Sequence, residues 1–200
     1  MLAILDPQVD IEPSLLSCIS IAYSDSLNRI KKEKLIQQLA ITDNLTGLYD
    51  RTYYNQVTDR LEREQPSSVG YIMVDLFRLK YVNDNFGHET GDAYIKSIAN
   101  VLKKFFVTDY AFRLGRDEFC VIVVNKPYQY IEDMLELVNR EISSIEIYDR
   151  NGNKVLSRID TGIDYQTERI SFKELAHNAD IKMNENKNRY YEENGINRRK

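Results

Sequence analysis

Three carboxylates stand where the local structure has no need of them. Asp117 and Glu118 are adjacent within Tyr110-Ala111-Phe112-Arg113-Leu114-Gly115-Arg116-Asp117-Glu118-Phe119-Cys120-Val121-Ile122-Val123-Val124. That stretch reads as strand, two-residue turn and strand, with Gly115 opening the turn. Asp75 ends the apolar run Val69-Gly70-Tyr71-Ile72-Met73-Val74-Asp75-Leu76. A charge at the end of an apolar strand must be paired, solvated or bound to metal. A strand-end Asp beside a hairpin Asp is the arrangement expected of a two-metal phosphoryl-transfer site, and acids at such a turn can hold a divalent cation against a phosphate. Lys80, Asn83, Asp84 and then Gly87-His88-Glu89-Thr90-Gly91-Asp92 follow the strand. Taken singly, a hairpin acid is usually solvated and a helix lysine is usually a surface lysine. The combination carries the reading.

The elements that must position these residues can be read from period and punctuation. Residues 1–12 lack periodicity and read as a tail or as the end of something upstream. From Pro13, a residue suited to the first helical position, the apolar residues Leu15, Leu16, Ile19, Ile21, Ala22, Leu27, Ile30, Leu35 and Leu39 recur at helical steps. This helix either packs on the domain behind it or pairs with its twin in a dimer; Lys31-Lys32-Glu33-Lys34 interrupts the seam. Thr42-Asp43-Asn44 ends it. Helices are expected over about 50–64, 90–106 (with Ala93, Ile95, Ile98, Ala99, Val101 and Leu102 inward) and 128–143. A strand is expected over 70–75, and a strand pair over 145–148 and 155–163 about Asn151-Gly152. A last helix starts at Ser171, a good N-cap with Glu174 three residues on, and fades near Glu192 or Asn194-Gly195. The domain expectation is a tail and linker helix over 1–38 and one domain over 39–200. Strands alternating with helices about a central sheet make it α+β.

Composition narrows the classes. Two hundred residues with 42% hydrophobic content suffice for one good core. A net charge of −4 leaves no global basic field for nucleic acid. The two cysteines, Cys18 and Cys120, lie in apolar runs without metal-ligand spacing and fit plain packing in a reducing cytoplasm. No apolar run reaches the length of a membrane span.

The blocks named so far, with the entry segment Leu39-Ala40-Ile41-Thr42-Asp43-Asn44-Leu45-Thr46-Gly47-Leu48-Tyr49-Asp50-Arg51, stand in the order and spacing of the GGDEF domains, which include the diguanylate cyclases. The chain resembles that family over roughly its last four-fifths. The resemblance implies a ferredoxin-like palm with a mostly antiparallel central sheet flanked by helices. It implies GTP as ligand and Mg²⁺ or Mn²⁺ held by Asp75, the backbone carbonyl of Leu76 and Asp117, with Glu118 aiding metal binding or activation of the attacking 3′-hydroxyl. It implies that Asn83 and Asp92 read the guanine edge, that Lys80 and Lys187 neutralise phosphate, and that Gly115 and Arg116 border the nucleotide. It further implies a cytoplasmic homodimer coupled to an upstream sensor domain.

The departures from the family pattern are as informative. The signature reads Gly115-Arg116-Asp117-Glu118-Phe119, with Arg where the family has a second Gly. Phe77 replaces a second carboxylate, Leu79 an aromatic, and Tyr190-Tyr191-Glu192 the closing Gly-Arg-Asn. The phosphate arginine is therefore missing, and Arg189 is its nearest substitute. Phe106-Val107-Thr108-Asp109 keeps the aspartate but loses the arginine of the product-inhibition motif. At Arg116 a type II′ turn keeps the hairpin intact, whereas a left-handed residue there would cost about 1–2 kcal/mol. Two readings follow: a diguanylate cyclase, or a degenerate module serving as a GTP sensor or interaction domain. A purely structural dimerisation domain ranks third, since it leaves the acids unused.

Overall fold

The computed structural model describes the backbone of residues 13–148, 152 and 154–195, and their side chains apart from those of 13–18, 33–40 and 155. The chain divides into two units, Met1–Ala40 and Ile41–Lys200. In the first, helix α1 (Pro13–Ile41) begins at the expected proline. All its side chains from 19 to 32 are exposed, Ile19, Ile21, Tyr23, Leu27 and Ile30 among them. The expected tail over 1–12, and the seam side chains Leu15, Leu16, Leu35 and Leu39, lie outside the described residues.

The second unit runs α2 (Arg51–Glu64), β1 (Val69–Leu76), α3 (Leu79–Phe86), α4 (His88–Phe105), β2 (Tyr110–Arg113), β3 (Glu118–Val124), α5 (Tyr128–Ser144), β4 (Ile147–Tyr148), β5 (Lys154–Val155), β6 (Ile159–Gln166) and α6 (Phe172–Glu193). The main sheet has the order β2-β3-β1-β6, antiparallel throughout. Alternation sorts its side chains into two cores. Ile72, Val74 and Leu76 of β1 and Phe119, Val121 and Val123 of β3 face α4 and α5, where Ile131, Leu135, Val138 and Ile142 make one helical stripe. Val69 and Tyr71, with Cys120 and Ile122, face α2 and α6 through Val57, Leu61, Leu175 and Ala179. Each such buried aliphatic side chain is worth about 1.5–3 kcal/mol, so these two cores, not the surface ion pairs, hold the sheet between its helices. Cys120 is a free, fully buried thiol, as its apolar setting implied.

Local signals behave as their chemistry predicts at both capped helices. Asp50 accepts from Tyr53 N–H at 2.9 Å, and Ser171 accepts from Glu174 N–H at 3.5 Å. Three expectations are corrected. Residues 79–86, unassigned from sequence, form α3: only Leu79 and Val82 are buried, so its apolar period is too short to register, and tertiary packing with Gly87 (φ +87°) fixes it. The run 155–163 is not one strand. Val155 pairs with Ile147 in a separate two-stranded ribbon, and Ile159 onward pairs with β1. The tip residue Asn151 lies outside the described residues, whereas Gly152 has φ +81°. Ala93 is exposed, because α4 buries the neighbouring Tyr94 and Ile95 instead.

Candidate active site

The register of the sheet assembles more acid at one end than the sequence suggested. Asp75 on β1 lies opposite Glu118 on β3 and opposite Asp160 on β6. Directly opposed residues share a face, so three carboxylates cross three strands in a row, on the α6 side. Asp75 and Asp160 are buried and Glu118 is exposed. From α6, Lys187 Nζ makes a short ion pair with Asp75 Oδ2. Burial pushes the Asp75 carboxyl above the usual carboxylate range; the Lys187 hydrogen bond and charge oppose this, and nearby Asp117 and Asp160 reinforce it.

The signature hairpin differs from the expected tight turn. Its loop has four residues, Leu114 to Asp117, and Leu114 and Gly115 N–H both donate to the Glu118 carbonyl, at 2.9 and 3.3 Å. Neither Gly115 nor Arg116 has positive φ, so a type II′ geometry and any left-handed strain at Arg116 are both ruled out. The loop is pinned instead by Arg113. Its guanidinium donates to the Gly115 carbonyl (3.1 Å), the Arg116 carbonyl (2.9 Å) and Asp43 Oδ1 (3.0 Å). Burial pushes the Asp43 carboxyl up, but hydrogen bonds from Thr46 and Arg113 outweigh it and hold the group below its ordinary value. The entry segment thus braces the signature loop. Leu76 N–H donates to the Asp117 carbonyl at 3.1 Å, which sets Asp117 beside the end of β1.

Arg116 is exposed at the tip of this loop. Substitution Arg116→Gly is therefore expected to change thermal stability little, within the ~0.5 kcal/mol usual for surface sites. If the loop borders GTP as the resemblance implies, the substitution should also produce a modest gain in GTP affinity, by opening backbone approach. Calorimetry and thermal melts check this, and a clear loss of affinity would make Arg116 a phosphate contact.

The α3–α4 junction places Asn83 and Asp92. A Cβ added to Gly91 would lie 1.9 Å from Asn83 Oδ1, so only glycine lets the amide pack against the start of α4, next to Asp92. Thr90 Oγ1 donates to the Phe86 carbonyl at 2.8 Å and fastens the corner. Asn83 is half-buried, while Asp92 and Lys80 are exposed.

The departures from the family pattern pack on one another. The buried Phe77 ring lies 5.3 Å from Tyr190, edge-on at 87°, and 5.7 Å from Tyr191. An aromatic cluster thus occupies the positions of the second carboxylate and the phosphate arginine. Two residues that sequence reading missed adjoin it. Arg158 Nη2 meets Asp160 Oδ1 at 3.0 Å, and its Cζ stands 3.5 Å from the Tyr190 ring centroid. The overlooked signal was a carboxylate between two isoleucines in an alternating strand, Ile159-Asp160-Thr161-Gly162-Ile163. Far from this end, Phe106 is buried in the core, and Tyr130 O–H donates to Asp109 at 2.9 Å.

Among the described residues no cluster of three or more His, Cys, Asp or Glu side chains is built to hold a metal ion unaided. The set the resemblance implies, Asp75, Asp117 and the Leu76 carbonyl, is a sparser one. This suits a Mg²⁺-type cation, which takes its remaining ligands from phosphate oxygens and water.

Known proteins resemble this chain in sequence and in fold. The family described as "Diguanylate cyclase, GGDEF domain" matches residues 40–193. The chain is 39% identical over 119 residues to the diguanylate cyclase DgcS of Shewanella oneidensis, covering 57% of this chain and 37% of that protein. It is 31% identical over 168 residues to the diguanylate cyclase VdcA of Vibrio cholerae, covering 81% and 49%. It is 37% identical over 109 residues to the probable diguanylate cyclase DgcJ of Escherichia coli, covering 52% and 22%. The chain thus spans about a fifth to a half of the length of these relatives. The fold matches the coiled coil and GGDEF domain of DgcB from Caulobacter crescentus, solved with c-di-GMP, at a TM-score of 0.73 and 22% identity over 91% of this chain and 95% of that one.

Proposed function

The chain belongs to the GGDEF-domain family, and we propose that it binds GTP with a divalent cation and, as a dimer, condenses two GTP molecules into cyclic di-GMP. One observation carries this reading: a buried Asp75 at the end of β1, with Asp117 tied beside it and Lys187 as its counter-ion. An ammonium can be displaced by a metal ion, which frees Lys187 to meet phosphate.

In this scheme Asp75, Asp117 and the Leu76 carbonyl hold Mg²⁺ or Mn²⁺, which when bound neutralises charge on the phosphates. Lys80 and Lys187 meet phosphate oxygens. Asp92 accepts from guanine N1–H and N2–H₂, and Asn83 completes the edge. Adenine lacks those donors, so selectivity against ATP follows. Two subunits face each other. The 3′-oxygen of each GTP attacks the α-phosphorus of the other, the bond to the β-phosphate breaks, and pyrophosphate leaves. In this reading Glu118, which is exposed and opposite Asp75, takes the 3′-hydroxyl proton. The apolar side chains exposed on α1 support pairing through that helix, downstream of a sensor domain in a longer protein. No helix among the described residues is long and apolar enough to cross a membrane. A cytoplasmic setting belongs to the same reading.

Purified protein incubated with GTP and Mg²⁺, with products separated by chromatography, tests the proposal. Cyclic di-GMP and pyrophosphate are expected, and ATP should be inert. A second reading, a GTP-binding module without turnover, is favoured by the Phe77–Tyr190–Tyr191 cluster; saturable GTP binding with no product would establish it. In either case cyclic di-GMP should bind weakly at Asp109, since Tyr130 already engages that carboxylate and Phe106 is a core residue. Tight binding of cyclic di-GMP that disappears in Asp109→Ala would contradict this.

A further inference from the structure

Arg158 and Asp160 are absent from the scheme above, and their arrangement is costly. The Asp160 side chain is 1% exposed, yet only Oδ1 is paired, to Arg158 Nε at 3.3 Å and Nη2 at 3.0 Å. Oδ2 is buried with no hydrogen-bond partner among the described residues. A buried carboxylate compensated at one oxygen is a poor source of stability. What the pair achieves is to fix a guanidinium. Arg158 is held by Asp160 on one edge and lies against the Tyr190 ring, with Phe77 5.8 Å away. Its side chain is still 33% exposed, and Nη1 takes no part in the Asp160 contact.

The location gives that guanidinium a purpose. The Arg158 carbonyl accepts from Phe77 N–H at 3.1 Å, so the residue stands one step beyond the Asp75-Leu76 end of β1. The side chain lines a cleft of about 430 Å³ at the free edge of β6, together with Asp160, Thr161, Asn186, Arg189 and Glu193. Lys80 and Lys187 bring point charges rather than forks, and position 191 is a tyrosine packed on Phe77. A triphosphate at this end of the sheet would meet two cleft arginines, Arg189 of the closing helix and Arg158, and Arg158 is the one braced by a carboxylate and a ring. A stacked, carboxylate-braced arginine is suited to one of its oxyanions.

We infer that Arg158, positioned by Asp160 and Tyr190, binds a terminal phosphate of the nucleotide. This rests on the GTP-binding reading above. The test compares GTP and GMP binding by calorimetry with Mg²⁺ present, in the unaltered protein and in the double variant Arg158→Met/Asp160→Asn. That variant removes both charges and leaves no buried ion unpaired. The preference for GTP over GMP is expected to fall about 10- to 100-fold, the worth of a charge-assisted hydrogen bond, with GMP affinity and melting temperature nearly unchanged. Arg158→Lys, which keeps the charge but loses the fork, should reduce the same preference less, and it carries the test if the double variant fails to fold. An unchanged preference, or equal losses for GTP and GMP, overturns the assignment and leaves Arg158 a structural residue. An unaltered protein that binds no GTP removes the functional reading as well, so the two failures are distinguishable.

Discussion

Replacing Asp75 by Asn is expected to abolish divalent-dependent GTP binding while the domain stays folded. Loss of a partner outside the metal's own coordination sphere already costs about 10- to 100-fold in metal affinity, so loss of the buried ligand itself should exceed ~100-fold. Stability should move little because two effects oppose. The amide no longer carries the desolvation of a buried charge, whereas Lys187 loses its ion pair. The pH dependence has a fixed sign. Folding raises the Asp75 pKa above its ordinary 3.8, so the folded state holds that proton more tightly than the unfolded state does. The ionised site therefore costs stability above the folded pKa, and the cost is relieved as pH falls through it. Metal competes with that proton, so divalent affinity should rise with pH and be lost on acidification earlier than at an ordinary aspartate. Calorimetry of Mg²⁺-dependent GTP binding across pH, beside thermal melts, reads both effects. Retained Mg²⁺-dependent binding in Asp75→Asn would remove Asp75 from the metal set.

Much of this architecture is legible in the residues because it rests on local chemistry. The Ser171–Glu174 cap, the stripe along α5 and the alternation in β1 and β3 are each set by neighbours within a turn or two. Long-range contacts decide what was not legible. Residues 79–86 are helical although Asn83, Asp84 and Asn85 are weak helix formers, because packing at Leu79 and Val82 overrides propensity. The signature loop escapes the tight-turn expectation because Arg113 satisfies its carbonyls from outside the turn, with Asp43 seventy residues away in sequence. Register alone makes Asp160 a neighbour of Asp75, and nothing local to Asp160 announces that β6 pairs with β1 rather than continuing the preceding ribbon. Asp75, Asp117 and Glu118 were visible as residue types, and Asp160 was not. Their counter-ions, Lys187 on Asp75 and Arg158 on Asp160, became visible only as contacts.

The helix that delivers Lys187 depends on one glycine, and Gly162→Ala is expected to be the most damaging single-methyl addition tested in the sheet. A Cβ at Gly162 would lie 2.0 Å from the Ala179 carbonyl oxygen, 2.4 Å from Met183 N and 2.9 Å from Met183 Cα. These are backbone atoms of α6, so relief requires the whole helix to shift. Gly70 is the internal control: its added Cβ would also meet an atom at 2.0 Å, but that atom is Cδ1 of Ile131, the far end of a side chain that can rotate. Overpacking costs typically 1–3 kcal/mol and more where backbone must move. Gly162→Ala should therefore lose about 3 kcal/mol, a fall of roughly 6–12 °C in melting temperature for a domain of this size, and Gly70→Ala distinctly less. The damage should reach function, because Met183 and Lys187 are one helical turn apart on α6. Lifting Met183 off β6 draws Lys187 from Asp75 and leaves the buried carboxylate without its counter-ion. Thermal melts of the two variants side by side, with GTP binding measured below both transitions, separate these effects. Equal melting temperatures would mean that α6 does not lie on Gly162 as closely as described. A destabilised Gly162→Ala that binds GTP normally would show that the placement of Lys187 does not depend on that contact.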